Sequence, residues 1–155
     1  MKSKIGSLFL VASERGLESV FWQAQSASFA DSLAGSKPEI KVLASTVKQL
    51  EEYLNGERRS FDIPLTPAGT DFQKAVWSEL LKIPYGKTIS YIDIARKLGN
   101  DKASRAVGTA NGKNPLCVII PCHRVITANG KPGGYSGGLD KKEKLLELEK
   151  SLTVC

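Results

Sequence analysis

A chain of 155 residues, 41% hydrophobic and 25% charged, has the composition of an ordinary globular protein and room for one domain or two small ones. It has no apolar run long enough for a membrane span and no signal-peptide core behind Met1-Lys2-Ser3-Lys4; three cysteines, one histidine and no Cys-x-x-Cys argue against a disulfide framework or a structural zinc site and for a reducing cytoplasm. Residues 1–67 carry 8 Lys and Arg against 8 Asp and Glu, while residues 68–155 carry 14 against 8, so the whole excess of +6 lies in the second half; a solvated lysine surface would explain that, but the asymmetry favours a polyanion, most simply nucleic acid.

Ile5 to Val11 and Leu17 to Trp22 read as two strands around a turn at Arg15-Gly16. Residues 24–37, polar and small, read as a loop. Ile40, Leu43, Val47, Leu50 and Leu54 recur at helical spacing and predict an amphipathic helix that Asn55-Gly56 ends. Arg58 to Leu65 reads as a further strand, and Thr66-Pro67-Ala68-Gly69-Thr70 as a domain boundary.

Thr70 is placed to cap a helix through Lys82 with Phe72, Val76 and Leu80 on one face. Pro84-Tyr85-Gly86 is a turn. Ser90 caps a short helix, Tyr91 to Leu98, that Gly99 stops, and a second helix runs from about Lys102 to Ala110; together they form a helix-turn-helix. Cys117-Val118-Ile119-Ile120 reads as a strand that Pro121 ends. Residues 127–138 form a glycine-rich loop or wing, and Asp140 caps a last helix.

The chemistry concentrates at Cys122-His123. A thiol is nucleophilic as the thiolate, and the only histidine of the chain lies beside this one, at the expected end of a strand. A buried Cys and a hydrogen-bonded core His are the plainer alternative. In the last helix Glu149 falls inside the apolar arc of Leu145, Leu146, Leu148 and Leu152, whereas Glu143 and Glu147 fall outside it. A carboxylate on a buried face needs a partner. It either snorkels to water or pairs with His123, which would make a Cys–His–Glu chain. The helix from Lys102 to Gly112 is rich in small residues that allow close approach, its first turn suits a phosphate, and Arg105 is its only long cation after Lys102. Cys117 reads as a core residue of its strand and Cys155 as an exposed terminal one.

Taken in order, Ile89-Ser-Tyr91, Ser104-Arg-Ala-Val-Gly108, Asn114-Pro115, Ile120-Pro-Cys-His-Arg-Val125 and Tyr135-Ser-Gly-Gly138 resemble the O6-alkylguanine-DNA alkyltransferases. The likeness runs from about Phe72 to Glu149, and the first domain shares only length and strand pattern. It implies an α/β protein: a small ribonuclease-H-like α/β N-terminal domain, residues 1–66, followed by a winged helix-turn-helix domain, residues 67–155.

The resemblance implies Cys122 as nucleophile, His123 as its base linked through water to Glu149, and Asn114 as a brace of the active-site turn. Tyr91 would help rotate the nucleotide, and Arg105 would fill the gap left by the flipped base. Tyr135 and Ser136 would close over the guanine, with backbone groups of Cys122 and Val125 reading its exocyclic amine. Ala103, Ser104, Arg105, Gly108 and Lys113, with Tyr91, would form the DNA contact surface, in the minor groove. The implied reaction is one irreversible transfer of an alkyl group from O6-alkylguanine, with O4-alkylthymine a further candidate, in double-stranded DNA to Cys122. It needs no cofactor and no metal; the expected form is a cytoplasmic monomer with no membrane attachment. The zinc ligands that some members carry in the first domain are absent, as is the activator domain fused to others. A non-catalytic winged-helix DNA binder and a cysteine hydrolase using Cys122 and His123 are the alternatives. The first leaves the thiol without a purpose, the second the basic helix-turn-helix.

Overall fold

The computed structural model describes residues 1–22, 37–131 and 133–153. The predicted loop at 24–37 falls outside them except for its last residue, as does Cys155; of Leu152 only the backbone is described. The chain opens with an antiparallel hairpin, β1 Leu8–Ser13 and β2 Gly16–Trp22, in the register Leu8 with Trp22 to Ser13 with Gly16. Helix α1, Lys37–Leu54, packs against it. The helix is where the pattern puts it, yet its inward stripe differs. Leu50 and Leu54 are buried with Thr46, Gln49 and Tyr53, while Ile40 is exposed.

The strand expected over Arg58 to Leu65 does not form. Only a single bridge joins Leu65 to Leu17. The reason is visible in Gln49, whose side-chain amide accepts from Asp62 N at 2.8 Å and donates to Asp62 O at 3.0 Å, taking the place of a neighbouring strand.

Helix α2, Asp71–Leu81, has a complete capping box between Thr70 and Gln73. Its core face is Val76, Trp77 and Leu80; Phe72 lies out in solvent. Two-residue β3, Ile89–Ser90, leads directly into α3, Tyr91–Lys97, with the Ser90 hydroxyl accepting from Asp93 N. Gly99, at φ 80°, reverses the chain, and α4 follows as Ser104–Gly112. It starts two residues later than the sequence suggests, because Ala103 N and Lys102 N are bound back by Asn100 in a preceding turn. Trp77 Nε1 donates to Ala110 O at 2.9 Å and ties α4 to α2.

The run Cys117 to Ile120 is not a strand either. It is a buried loop, pinned to β2 only at Leu116, that winds back through Ile119 N to Cys117 O and Ile120 N to Leu116 O bonds. Val118 takes φ 73°, a left-handed conformation costly for a β-branched residue. Pro121 then leads into one 3-10 turn, Cys122–Arg124, and two-residue β4, Val125–Ile126, pairs in parallel with β3. The wing closes on the Thr127 N to Lys131 O bond. Helix α5, Leu139–Thr153, has Asp140 within its first turn rather than at its cap, and Leu145 and Glu149 point into the core.

Candidate active site

Cys122 sits at the start of the 3-10 turn, 2% exposed, not at a strand end. Asn114 holds the loop beneath it: its side chain donates to Ile120 O at 2.8 Å and accepts from Leu116 N at 2.9 Å. Those two bonds span the strained Val118. From α4, the buried Asn111 donates to Cys122 O at 3.4 Å.

His123 and Glu149, 26 residues apart, meet directly. His123 Nε2 lies 2.8 Å from Glu149 Oε1 with no water between them, and both side chains are fully buried. A carboxylate only accepts, so Nε2 carries the hydrogen and Nδ1 carries the lone pair. Nδ1 has no hydrogen-bond partner among the described residues. Burial lowers the His123 pKa, against the opposing pull of Glu149, so the ring is neutral and basic at neutral pH.

Glu149 is the hub of a network wider than the expected pair with His123. Arg124 grips it through Nε at 2.9 Å and Nη2 at 2.7 Å and donates a further bond to Ile83 O. Tyr53, from α1, donates its hydroxyl to Oε1 at 2.6 Å. Burial raises the Glu149 carboxyl, but the bonds from His123 and Arg124 outweigh it and bring the pKa to about 2. Tyr53 and Arg124 were thus missed as site residues. The one available signal for Arg124 was its place directly after Cys122-His123; for Tyr53 it was a tyrosine on the inner face of α1.

Asn111, which bonds the Cys122 carbonyl, also lines a pocket of about 330 Å³ with Tyr91, Tyr135, Ser136 and glycines of α4 and the wing loop. Three of the four residues expected at the base, Tyr91, Tyr135 and Ser136, line it together, and Val125 does not. The Tyr91 ring lies against Gly108 and Gly133, where an added Cβ would come within 3.8 Å and 3.3 Å of it. Val125 is buried, and its carbonyl already receives Lys142 Nζ at 2.6 Å; the same ammonium donates to Gly134 O at 3.1 Å. Burial lowers Lys142 to about 8, with Cys122 opposing, so a cation remains beside the nucleophile loop at neutral pH.

Two further residues were unforeseen as parts of the site. Trp22, at the end of β2, donates Nε1–H to Tyr135 Oη at 2.9 Å. Cys117 lies against Ser136, with 3.6 Å between Cys117 Sγ and Ser136 Oγ. The neighbouring Cys122 lowers the Cys117 thiol to about 7, helped by Ser136 and Tyr135 and opposed by burial, while Cys117 and burial raise Cys122 well above the usual thiol range.

The five expected DNA-contact positions of α4 do not form one cluster. Ala103, Ser104 and the exposed Arg105 share its first turn, Gly108 faces Tyr91, and exposed Lys113 is the cap at the far end, about 13 Å away at 1.5 Å per residue. Among the described residues no group of His, Cys, Asp and Glu is arranged to hold a metal ion, and no helix is long and apolar enough to cross a membrane.

The sequence profile of the 6-O-methylguanine DNA methyltransferase ribonuclease-like domain matches residues 1–67, and that of the same family's DNA binding domain matches residues 71–151. The chain belongs to the 6-O-methylguanine DNA methyltransferase family. Its architecture is that family's: a ribonuclease-like N-terminal domain and a winged helix-turn-helix DNA-binding domain. It is 48% identical to the methylated-DNA--protein-cysteine methyltransferase of Methanosarcina acetivorans, over 97% of this chain and 96% of the relative. Among solved structures it is similar to the Mycobacterium tuberculosis OGT in complex with DNA, with TM-score 0.86, 44% identity and coverage of 98% of this chain and 92% of that one. A Methanococcus jannaschii O6-methylguanine DNA methyltransferase is also similar, at TM-score 0.69 and 31% identity over 97% and 92% of the two chains.

Proposed function

We propose that this protein repairs alkylated DNA by direct reversal, moving the alkyl group of O6-alkylguanine irreversibly to its own Cys122. The observation that carries the reading is a buried thiol followed in the chain by a neutral imidazole held by a carboxylate, with the Cys122 carbonyl bonded by Asn111, which lines a pocket of about 330 Å³. It lies in a protein whose relatives are methylated-DNA--protein-cysteine methyltransferases. DNA is the partner. A 44% identical relative has been solved in complex with it, and the excess positive charge of this chain falls in the domain that carries the site.

The target carbon lies inside a duplex, so the nucleotide must leave the stack, at a cost of a few kcal/mol. Arg105, exposed in the first turn of α4, is assigned to the vacated space, and Tyr91 to the flipped nucleotide. Tyr135 and Ser136 close the pocket. Cys122 attacks the alkyl carbon as the C–O6 bond breaks; the thioether has no good leaving group, so each molecule acts once. His123 Nδ1, set by Glu149, accepts the proton, and Asn114 keeps the loop in place. Ala103, Ser104, Gly108 and Lys113 are assigned to DNA contact, with Val125 at the base. The proposed form is a monomer. The two free, buried thiols suit a reducing compartment, for which we propose the cytoplasm. Residues 1–66 and 67–155 are the proposed domains.

The test is intact-protein mass after incubation with excess duplex carrying O6-methylguanine. One methyl per protein, on the peptide containing Cys122, is expected. Repeated turnover, or binding with no transfer, would defeat the proposal.

A further inference from the structure

Tyr53 belongs to α1 of the first domain, yet its hydroxyl reaches the acid–base pair of the second. The side chain is fully buried. Its ring is fixed by two aromatic neighbours, Phe61 with centroids 5.4 Å apart and Tyr85 edge-on at 6.0 Å and 81°. Its oxygen lies 2.6 Å from Glu149 Oε1 and 3.4 Å from His123 Nε2. On the same Oε1 converge His123 Nε2 at 2.8 Å and Arg124 Nη2 at 2.7 Å. A carboxylate oxygen only accepts, so the phenol donates and the three hydrogens share one oxygen. Burial and the charge of Glu149 push the phenol well above its usual range, so it stays a donor through neutral and mildly alkaline pH.

A carboxylate whose charge faced His123 alone would draw a proton onto the ring and leave an imidazolium, with no lone pair for the proton of Cys122. Each further donor on Oε1 withdraws part of that charge. Arg124 does so as a cation. Tyr53 does so without adding a charge, and its fixed ring holds the oxygen where Nε2–H meets it. We propose that Tyr53 is a positioning residue for alkyl transfer: by donating to the oxygen that binds Nε2–H, it holds Glu149 in register with His123 and keeps the imidazole uncharged, with Nδ1 open to the proton of Cys122. The inference rests on the reading of Cys122 as nucleophile and His123 as its base, and it adds a residue of the first domain to that machinery. The step it serves balances. The Cys122 S–H bond breaks and its proton goes to His123 Nδ1. The sulfur bonds the alkyl carbon, the C–O6 electron pair leaves with guanine, and the guanine anion takes a proton from water. The other groups facing the pair are Arg124 and Lys142 of α5, whose charges also disfavour an imidazolium, and Tyr85, which faces Glu149. Cys122 precedes His123 in the chain. Burial of His123 acts in the same direction as the two cations and more strongly.

The chain has one histidine, so its ring gives a single set of resonances in tag-free protein. The experiment titrates His123 by NMR from pH 4.5 to 9 in wild type, in Tyr53→Phe and in protein carrying 3-fluorotyrosine at position 53. Single-turnover alkylation by free O6-benzylguanine is measured over the same range. Wild type should show a neutral ring at pH 7 with its hydrogen on Nε2, and a rate that falls as the ring is protonated. Tyr53→Phe leaves Oε1 to His123 and Arg124. The His123 midpoint and the acid limb of the rate should both move up by about one pH unit, about tenfold in rate below the midpoint, and the rates should converge by pH 9. 3-Fluorotyrosine, nearly the same size and a stronger donor, should move both down, and it carries the test if Tyr53→Phe does not fold. An unmoved His123 midpoint in a folded variant would overturn the proposal. So would a rate loss of equal size at every pH, which is what a merely loosened core would give, and so would a wild-type ring that is charged at pH 7 or protonated on Nδ1 alone. A wild type whose His123 behaves as expected but which is not alkylated at all would instead defeat the reading of Cys122, so the two failures are distinguishable.

Discussion

Replacing Glu149 by glutamine keeps the shape of the side chain and removes its charge. At this position that should be severe. Arg124 would keep a buried guanidinium with no counter-charge, since Glu149 is the acid that meets it, at 2.7 Å. Removing one partner of a buried ion pair costs about 3–5 kcal/mol. Titration gives a second route to the figure. A carboxyl held at about 2 rather than 4.5 contributes about 3 kcal/mol to folding at neutral pH, at about 1.4 kcal/mol per pH unit. The sign is that of a depressed acid. The contribution is complete above the unfolded-state value near 4.5 and is lost as the pH falls toward 2. His123, also depressed, adds a loss that starts near 6.5 in the same direction. Urea unfolding at pH 7 should therefore show Glu149→Gln about 3–5 kcal/mol less stable than wild type, and the gap should close as the pH drops from 5 to 3. Single-turnover alkylation by the folded variant should slow by about 10²-fold or more, because Nε2–H of His123 no longer faces a carboxylate. A gap under 1 kcal/mol at pH 7, or one that does not narrow in acid, would refute the network as drawn. Unchanged kinetics in the folded variant would refute the role of the carboxylate in setting His123.

Cys122→Ser should abolish transfer and retain DNA binding, and peptide mapping of wild type should find the label on Cys122 and not on Cys117 or Cys155. Arg105→Ala should slow repair of a lesion in duplex strongly and reaction with free O6-benzylguanine very little; equal losses on both would remove its assignment to the vacated stack, and a mere phosphate anchor would show only as a salt slope reduced by about one charge. Tyr53→Phe removes a 2.6 Å hydrogen bond to a buried carboxylate and should lower stability by about 1.5–3 kcal/mol, seen as a fall in melting temperature of about 3–10 °C. Exhaustive chelation should leave alkyl transfer intact, and stoichiometric zinc in tag-free protein by elemental analysis would contradict that.

Short-range chemistry wrote much of this protein into its sequence. The Thr70 box, the Ser90 cap and the Gly99 reversal set α2, α3 and the turn before α4 with bonds that span three or four residues, which a linear reading can find. The place of Glu149 inside a leucine arc was legible, though the arc alone left burial and snorkelling open, and the adjacency of Cys122 and His123 needed no fold at all. Elsewhere the same reasoning failed for one physical reason. A buried apolar run such as Cys117 to Ile120 looks alike whether its backbone is paired with a strand or bound by a side chain. Here Asn114 binds it, and Gln49 does the same for Asp62, so both expected strands are loops. Tertiary contact alone brought Tyr53 and Trp22 of the N-terminal domain to within hydrogen-bond reach of Glu149 and Tyr135, across 96 and 113 residues. Those contacts decide how the site ionises, because a charge in a dry interior is governed by its neighbours in space, and no spacing in the chain encodes them.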